Sequence, residues 1–486
     1  MPFACKLCVQ GWTRMDKEIV DYALDYAKGK RVNYAEARAS SQQQDRLLLR
    51  DGNLEAYTSA VDSGFCVRII AGGGIGFAST NKWTREEARE IVDQAYKYAM
   101  SARRREKLVF AEEKGVKTEW VVEQKKRVEN VPAEEKISAF VDVHKALACC
   151  GVKVVATVAQ CSVDLIAKYF VNSEGSQISS FVPRVGASVF IAVVEQGKTE
   201  QASEQFGFSG GWEAFGVWGV QEKMVHDAKV LKAVITGAKH VKPGEMDLVC
   251  GSEVTGIAAH ESCGHPMEAD RILGREMSQA GRSFIYEGGP YWFGKRIGSE
   301  AVTVVDDPTV GHSYGYYMYD DEGVKARRRH LYEKGMINEF LHNRESAAKL
   351  GVKSNGSSRS INYDREAIVR MSNTFVLPGE LSEEELVEDV SRGVYMKSFT
   401  EWNIDDKRFN QRYVGREAYL IEKGELAGPV ARPVIETTTL KFWTAVDAVS
   451  KNVEFDAATC GKGDPMQGVP VFTGGPCIRL RGVYVK

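Results

Sequence analysis

Two imidazoles and a carboxylate fall within six residues at His260, Glu261 and His265, in the run His-Glu-Ser-Cys-Gly-His that precedes Pro266. This set suits a hydrolytic metal site, in which the nitrogens hold a zinc ion and the carboxylate serves as base toward water. The familiar helical pattern of zinc proteases spaces its histidines at i and i+4, one above the other on a helix face, whereas here they stand at i and i+5. Five residues at about 100° each leave the rings about 140° apart on a regular helix, too far round to share one ion. The rings converge if the segment unwinds at Gly264 or carries a π-turn of roughly 4.4 residues, which brings them to about 50°. The spacing therefore predicts a helix distorted between Ser262 and Gly264. The chain has eight histidines, and the pattern arises by accident in about one such chain in a hundred. The alternative is a pair of hydrogen-bonded helix histidines with no ligand.

A catalytic zinc takes three protein ligands and keeps a fourth position open, so a third donor has to come from elsewhere. Of ten cysteines, Cys460 has the most informative setting, a glycine-rich turn Thr-Cys-Gly-Lys-Gly-Asp-Pro that could present a thiolate. Cys263 lies inside the histidine motif, where its own backbone aims it away from a shared ion. Cys5 and Cys8 form a lone CxxC with no second half, and read as incidental thiols rather than a zinc or redox pair. Cys149 and Cys150 end a predicted helix and read as small buried apolar residues. Glu268 and Asp270 are near enough to orient the imidazoles, against the reading that they are surface charges. Asp306-Asp307 and Asp320-Asp321-Glu322 admit a hard-metal site, but acidic turns between strands account for them as well.

The elements that must position these residues follow from periodicity. Met15 to Lys28 is amphipathic at helical spacing, and Thr84 to Met100 opens with Thr84 and Glu87 in capping-box positions. Another helix begins at Pro132. Val32 to Ala78 and Val152 to Gln205 read as strands, with turns at Arg50-Asp51-Gly52-Asn53, Gly72-Gly73-Gly74, Asn172-Ser173-Glu174-Gly175 and Glu195-Gln196-Gly197. The triple glycine lacks the spacing and Lys-Ser/Thr ending of a phosphate loop. Glu213 to Gly237 is predicted helical, and Met246 to Cys250 reads as a buried strand leading into the histidine motif. The class is α+β in two domains. Residues 1–238 put helices on an antiparallel sheet, and residues 245–486 form a strand-rich domain carrying the distorted helix, with Lys239 to Gly244 as linker.

Sixty-four basic against sixty-six acidic residues give a formal charge of −2 in a chain of 486 residues, so no basic face points to nucleic acid. No run approaches the roughly 20 apolar residues of a membrane span, and no signal-peptide core is visible. Ten cysteines without a regular framework suit a reducing compartment, and a cytoplasmic location is expected.

The order of motifs resembles the TldD/PmbA (TldD/TldE) zinc metalloproteases, and specifically the TldD-type subunit. In the N-terminal half the resemblance rests on Ser63-Gly64-Phe65, Gly76-Phe77-Ala78 and Gly207 to Glu213. In the C-terminal half it rests on His260 to Asp270, Val304 to Asp307, Asp320 to Val324, Arg370 to Thr374, Glu417 to Glu422, Cys460-Gly461-Lys462, Gln467 to Val471 and Gly474-Gly475-Pro476. The resemblance implies that His260, His265 and Cys460 bind Zn2+, that Glu261 is the catalytic residue, and that the chain is a cytosolic peptidase for unfolded or extended peptides. It implies a dimer with a related TldE-like subunit, a homodimer being equally open. Arg370, Asn373 and Tyr419 either line a peptide groove or support it. One stretch departs: a short glycine-rich segment is usual where this chain has Glu401 to Phe409, which bears on the groove and not on the metal ligands. Two other readings stand beside the peptidase, a peptide-binding or chaperone-like subunit without cleavage activity and a zinc amidohydrolase for a small molecule.

Overall fold

The computed structural model describes residues 15–104, 106–276, 281–286 and 294–486; Cys5 and Cys8 lie outside them. The N-terminal half is built on long hairpins. β1 (Tyr34–Arg50) and β2 (Asn53–Ala71) turn at Asp51 and Gly52, both with positive φ, and β3 (Gly74–Thr80) follows the glycine turn. After β4 (Lys117–Val121) come β5 (Val154–Asn172), β6 (Gln177–Glu195) and β7 (Lys198–Ser209). They form one sheet in the order β3-β2-β1-β5-β6-β4, with β7 pairing the far end of β6. The sheet is antiparallel except for β4, which runs parallel to β6, a difference from the expected all-antiparallel sheet.

Strand side chains alternate between faces, and the two faces meet different partners. Odd-numbered residues of β5 such as Cys161, Val163 and Leu165 join Phe140, Leu147, Met224 and Leu231 in one core. Those last four come from α3 (Ala133–Ala148) and α5 (Val220–Gly237). Nearer the start of β1, α1 (Lys17–Lys28) and α2 (Arg85–Ser101) cover the same face, with Thr84 capping α2 by accepting from Glu87 N at 3.3 Å. The other face carries polar residues and is roofed by the C-terminal half. The helix expected over Glu213 to Gly237 is broken: α4 (Glu213–Trp218) ends at Gly219, whose φ of 57° starts α5 afresh. Cys149 and Cys150 correct the expectation of burial. They follow the last inward turn of α3, and Cys149 is exposed while Cys150 is half-buried.

The C-terminal half contains two larger sheets among the described residues. In one, β8 (Gly244–Cys250) lies between strands Ile478–Val485 and Arg392–Met396. In the other, Glu454–Lys462 is the edge strand and pairs antiparallel with Gln467–Gly475. A single apolar core spans both sheets and includes Leu248, Val254, Met371, Trp443 and Val471. Its helix α6 (Ser252–Ala259) is buried along its length and packs against strands Gln467–Gly475 and Asn373–Val376. No helix among the described residues is long and apolar enough to cross a membrane.

Candidate metal centre

Where α6 ends, the chain makes a π-turn over His260–Gly264, closed by the His265 N–H donating to the His260 carbonyl. That five-residue bond is the distortion the histidine spacing calls for. Side chains of the core hold it. Ser262 Oγ donates to Ala258 O at 2.7 Å and accepts from Trp443 Nε1 at 2.8 Å, and the Tyr332 hydroxyl donates to Ser262 O at 3.2 Å. Gly264 is required by close approach, since a Cβ there would collide with Met371 Sδ. Cys263 faces the core beside Tyr332, where burial raises its thiol pKa.

The turn sets the two imidazoles 4.9 Å apart, nearly perpendicular. Strand pairing brings in the third donor: Cys460 sits opposite Val469 on the edge strand, with Sγ 3.5 Å from His265 Nε2. One ligand atom from each of His260, His265 and Cys460 lies within 4.8 Å of the others, and all three residues are buried. Burial alone would push the Cys460 thiol up, but His265 and His260, then Arg370, hold it well below the usual thiol range. Two imidazoles and a cysteine sulfur converging on one point fit a zinc ion by donor chemistry.

Glu268 and Asp270 are buried supports, which corrects the surface reading. His265 Nδ1 lies 2.9 Å from Glu268 Oε2, so Nε2 is turned toward Cys460. Burial would raise the Glu268 carboxyl, yet Lys462, Arg271 and His265 hold it well below the usual range. Lys462 also bonds Asp270 at 2.7 Å. By contrast, His260 Nδ1 is buried without a hydrogen-bond partner among the described residues. Arg370 is fully buried and donates to the carbonyls of Cys460 and Gln467, fixing the edge strand rather than lining a groove. Asn373 is buried against Asp307 and Ser313, and Tyr419 bonds Glu417. The acidic turns are spent in ion pairs: Asp306 with Arg329, Asp307 with Arg328, Asp321 with Lys168 and Glu322 with Arg68.

The donors open on a cleft of about 650 Å³. Its walls are the edge strand from Asp456 to Gly461, β7 from Gln201 to Gln205, and the departing segment through Trp402 and Arg408. Arg408 was not legible as a site residue. Its guanidinium pairs with Glu261, and its backbone holds φ at 65°, unusual for any residue but glycine. The run Glu401 to Phe409, standing where the resembled family usually has a glycine-rich stretch, was the one available signal. The cleft's far end gathers Glu204, Glu253 and Asp456 around Arg416, with Arg416 Nη2 at 2.6 Å from Glu204.

Family profiles described as the PmbA/TldA metallopeptidase domain 1, central domain and C-terminal domain match residues 35–99, 126–232 and 243–486. A metalloprotease of Methanothermobacter thermautotrophicus is 34% identical over 457 residues, covering 94% of this chain and 96% of its own. A zinc metalloprotease TldD homolog of Saccharolobus solfataricus is 27% identical, covering 87% of this chain and 90% of its own. The crystal structure of TldE from Thermococcus kodakarensis superposes with a TM-score of 0.71 at 18% identity, over 96% of this chain and 99% of that one, a likeness of fold.

Proposed function

The chain belongs to the PmbA/TldA metallopeptidase family, and from that premise we propose that it is a zinc-dependent peptidase hydrolysing unfolded or extended peptides, with His260, His265 and Cys460 as zinc ligands and Glu261 as catalytic base. The observation that carries the proposal is the convergence of those three donors beside Glu261 at the floor of an open cleft. Zinc held there supplies a Lewis acid that acidifies water and polarises the scissile carbonyl. Glu261 takes the proton from the attacking water and passes it to the leaving amine, so one carboxylate serves both half-steps. Arg408 fixes the orientation of that carboxylate. Glu268 sets the His265 tautomer, and Arg370 holds the Cys460 backbone in place.

Substrate binding follows from the edge strand. Among the described residues Glu454–Lys462 pairs on one side only, and residues 456–461 line the cleft. An extended peptide added there gains main-chain hydrogen bonds without much reading of sequence, which suits unfolded chains. The cytoplasm, and assembly with a second copy or a TldE-like subunit, complete the proposal, as does a division into domains 1–238 and 245–486.

The test is zinc content together with cleavage of an unfolded peptide library, for the native chain and Glu261→Gln. The proposal expects about one zinc in each and cleavage by the native chain alone. Zinc in both with cleavage by neither would favour the peptide-binding subunit.

A further inference from the structure

A second cavity of about 350 Å³ lies between the polar face of the N-terminal sheet and the C-terminal half. Such a face is ordinarily left to water. Here alternate residues of β1, β5 and β6 are roofed by Tyr314, Tyr317, Arg359 and Pro470. Thr459, next in sequence to Cys460, lines both this chamber and the metal cleft.

Its charges do not balance. Arg46, Lys168, Arg184 and Arg359 face Asp164, Asp320 and Asp321. Arg46 is satisfied by Asp164 at 2.6 Å and Lys168 by Asp321 at 2.8 Å. The Asp320 carboxylate accepts from the backbone N–H groups of Glu322, Val324 and Ser358. That leaves two guanidinium groups. Arg184 donates to the carbonyls of Tyr314 and Tyr316 at 3.2 and 3.1 Å, and Arg359 to those of Met371 and Pro470 at 2.7 and 2.9 Å. Neither pairs with a carboxylate among the described residues. Arg359 is only 6% exposed, and burial, with repulsion from Arg184 and Arg370, brings it down to about 10. Carbonyls orient a guanidinium but do not neutralise it, and a buried cation without a counter-charge is costly. Two guanidinium forks with fixed orientation recognise a carboxylate or phosphate.

We propose that this chamber is an anion subsite in which Arg184 and Arg359 seat a carboxylate of a peptide lying in the metal cleft, either an acidic side chain or the C-terminus. The shared lining residue Thr459, which sets the two guanidinium groups beside the cleft, favours a peptide as the source over a free anion. The inference rests on the peptide reading of the cleft but not on cleavage, so it is tested by binding.

The experiment uses the full-length Glu261→Gln chain loaded with zinc, and four labelled extended peptides of one sequence, carrying Glu or Gln and a free or amidated C-terminus. Fluorescence anisotropy should show a carboxylate-bearing peptide binding about tenfold or more tightly than the uncharged one. Adding Arg184→Gln or Arg359→Gln should erase that difference. Inorganic phosphate at constant ionic strength should compete with the acidic peptide and leave the uncharged one in place. The Glu and amide arms tell the side chain from the terminus. Equal binding of all four peptides, or none, overturns the proposal. So does phosphate that raises the melting temperature through Arg184 and Arg359 with no carboxylate preference, which would make the chamber a free-anion site. Should the arginine variants fail to fold, lack of phosphate competition in the parent chain is itself decisive against it. A preserved preference with no cleavage by the native chain would sink the peptidase and leave the subsite standing.

Discussion

The two cavities that share Thr459 as a lining residue differ in the ionisable groups around them and in origin. In the metal cleft, carboxylates outnumber cations away from the donors: Glu204, Glu253 and Asp456, with Asp227 behind them, surround Arg416 and Lys223. In the chamber the cations are in excess. The cleft's chemistry comes from a run of six residues and one strand neighbour, while the chamber is assembled from alternate residues of three strands and a roof distant in sequence. The difference teaches that a metal centre can be written locally, whereas a subsite for a substrate group is a property of packing between halves.

The sharpest way to break the comparison is at the donors. Cys460→Ala should leave the chain without bound zinc and bring peptide cleavage down to background, read by metal analysis and turnover together, with the chamber's anion binding intact. Next is the support beneath the metal. Glu268→Gln removes the charged partner of His265, and zinc affinity measured by competition with a chelator should fall roughly 10- to 100-fold. An unchanged affinity would mean that Glu268 only balances Lys462 and Arg271.

Arg408→Gly should lower kcat about tenfold with zinc retained. Because glycine suits a φ of 65°, thermal stability should move by no more than about 1 kcal/mol. Recovery of kcat in Arg408→Lys would show that charge beside Glu261 is what matters. A loss confined to KM would assign Arg408 to substrate binding instead.

The smallest effect is on pH dependence. Burial, reinforced by Glu204, raises Asp227 to about 7 and Glu253 to about 8, and Asp456 is raised to about 6. These groups keep their protons in the folded chain while the unfolded chain has lost them. Their contribution to stability is therefore full below the ordinary carboxyl range, near 4, and is lost as pH rises through about 8. Glu268, held low, has the opposite sign and loses its contribution as pH falls below the ordinary carboxyl range. The melting temperature should fall between pH 5 and 8, and Glu253→Gln should flatten that fall.

Much of this was legible in the residues. The five-residue histidine spacing called for a helix distorted between Ser262 and Gly264, and a π-turn is present there. Hairpins at Asp51-Gly52 and Gln196-Gly197 were written in turn residues that tolerate positive φ. Cys460 could be singled out by its glycine-rich setting, yet only strand pairing brings it to His265. Glu268 looked like a surface charge because helical spacing says nothing about what covers a helix end. Arg408 was hidden because its role depends on a loop folding back over Glu261. The chamber was hidden for a related reason: Arg184 alternates with apolar neighbours as solvent-facing strand residues do, and nothing local reveals the roof.

Zinc K-edge X-ray absorption on the purified chain reads the ligand set itself. One sulfur at about 2.3 Å and two imidazole nitrogens at about 2.0–2.1 Å are expected, with no zinc retained by Cys460→Ala. Zinc bound without sulfur, or with a sulfur that survives Cys460→Ala, would contradict that ligand set.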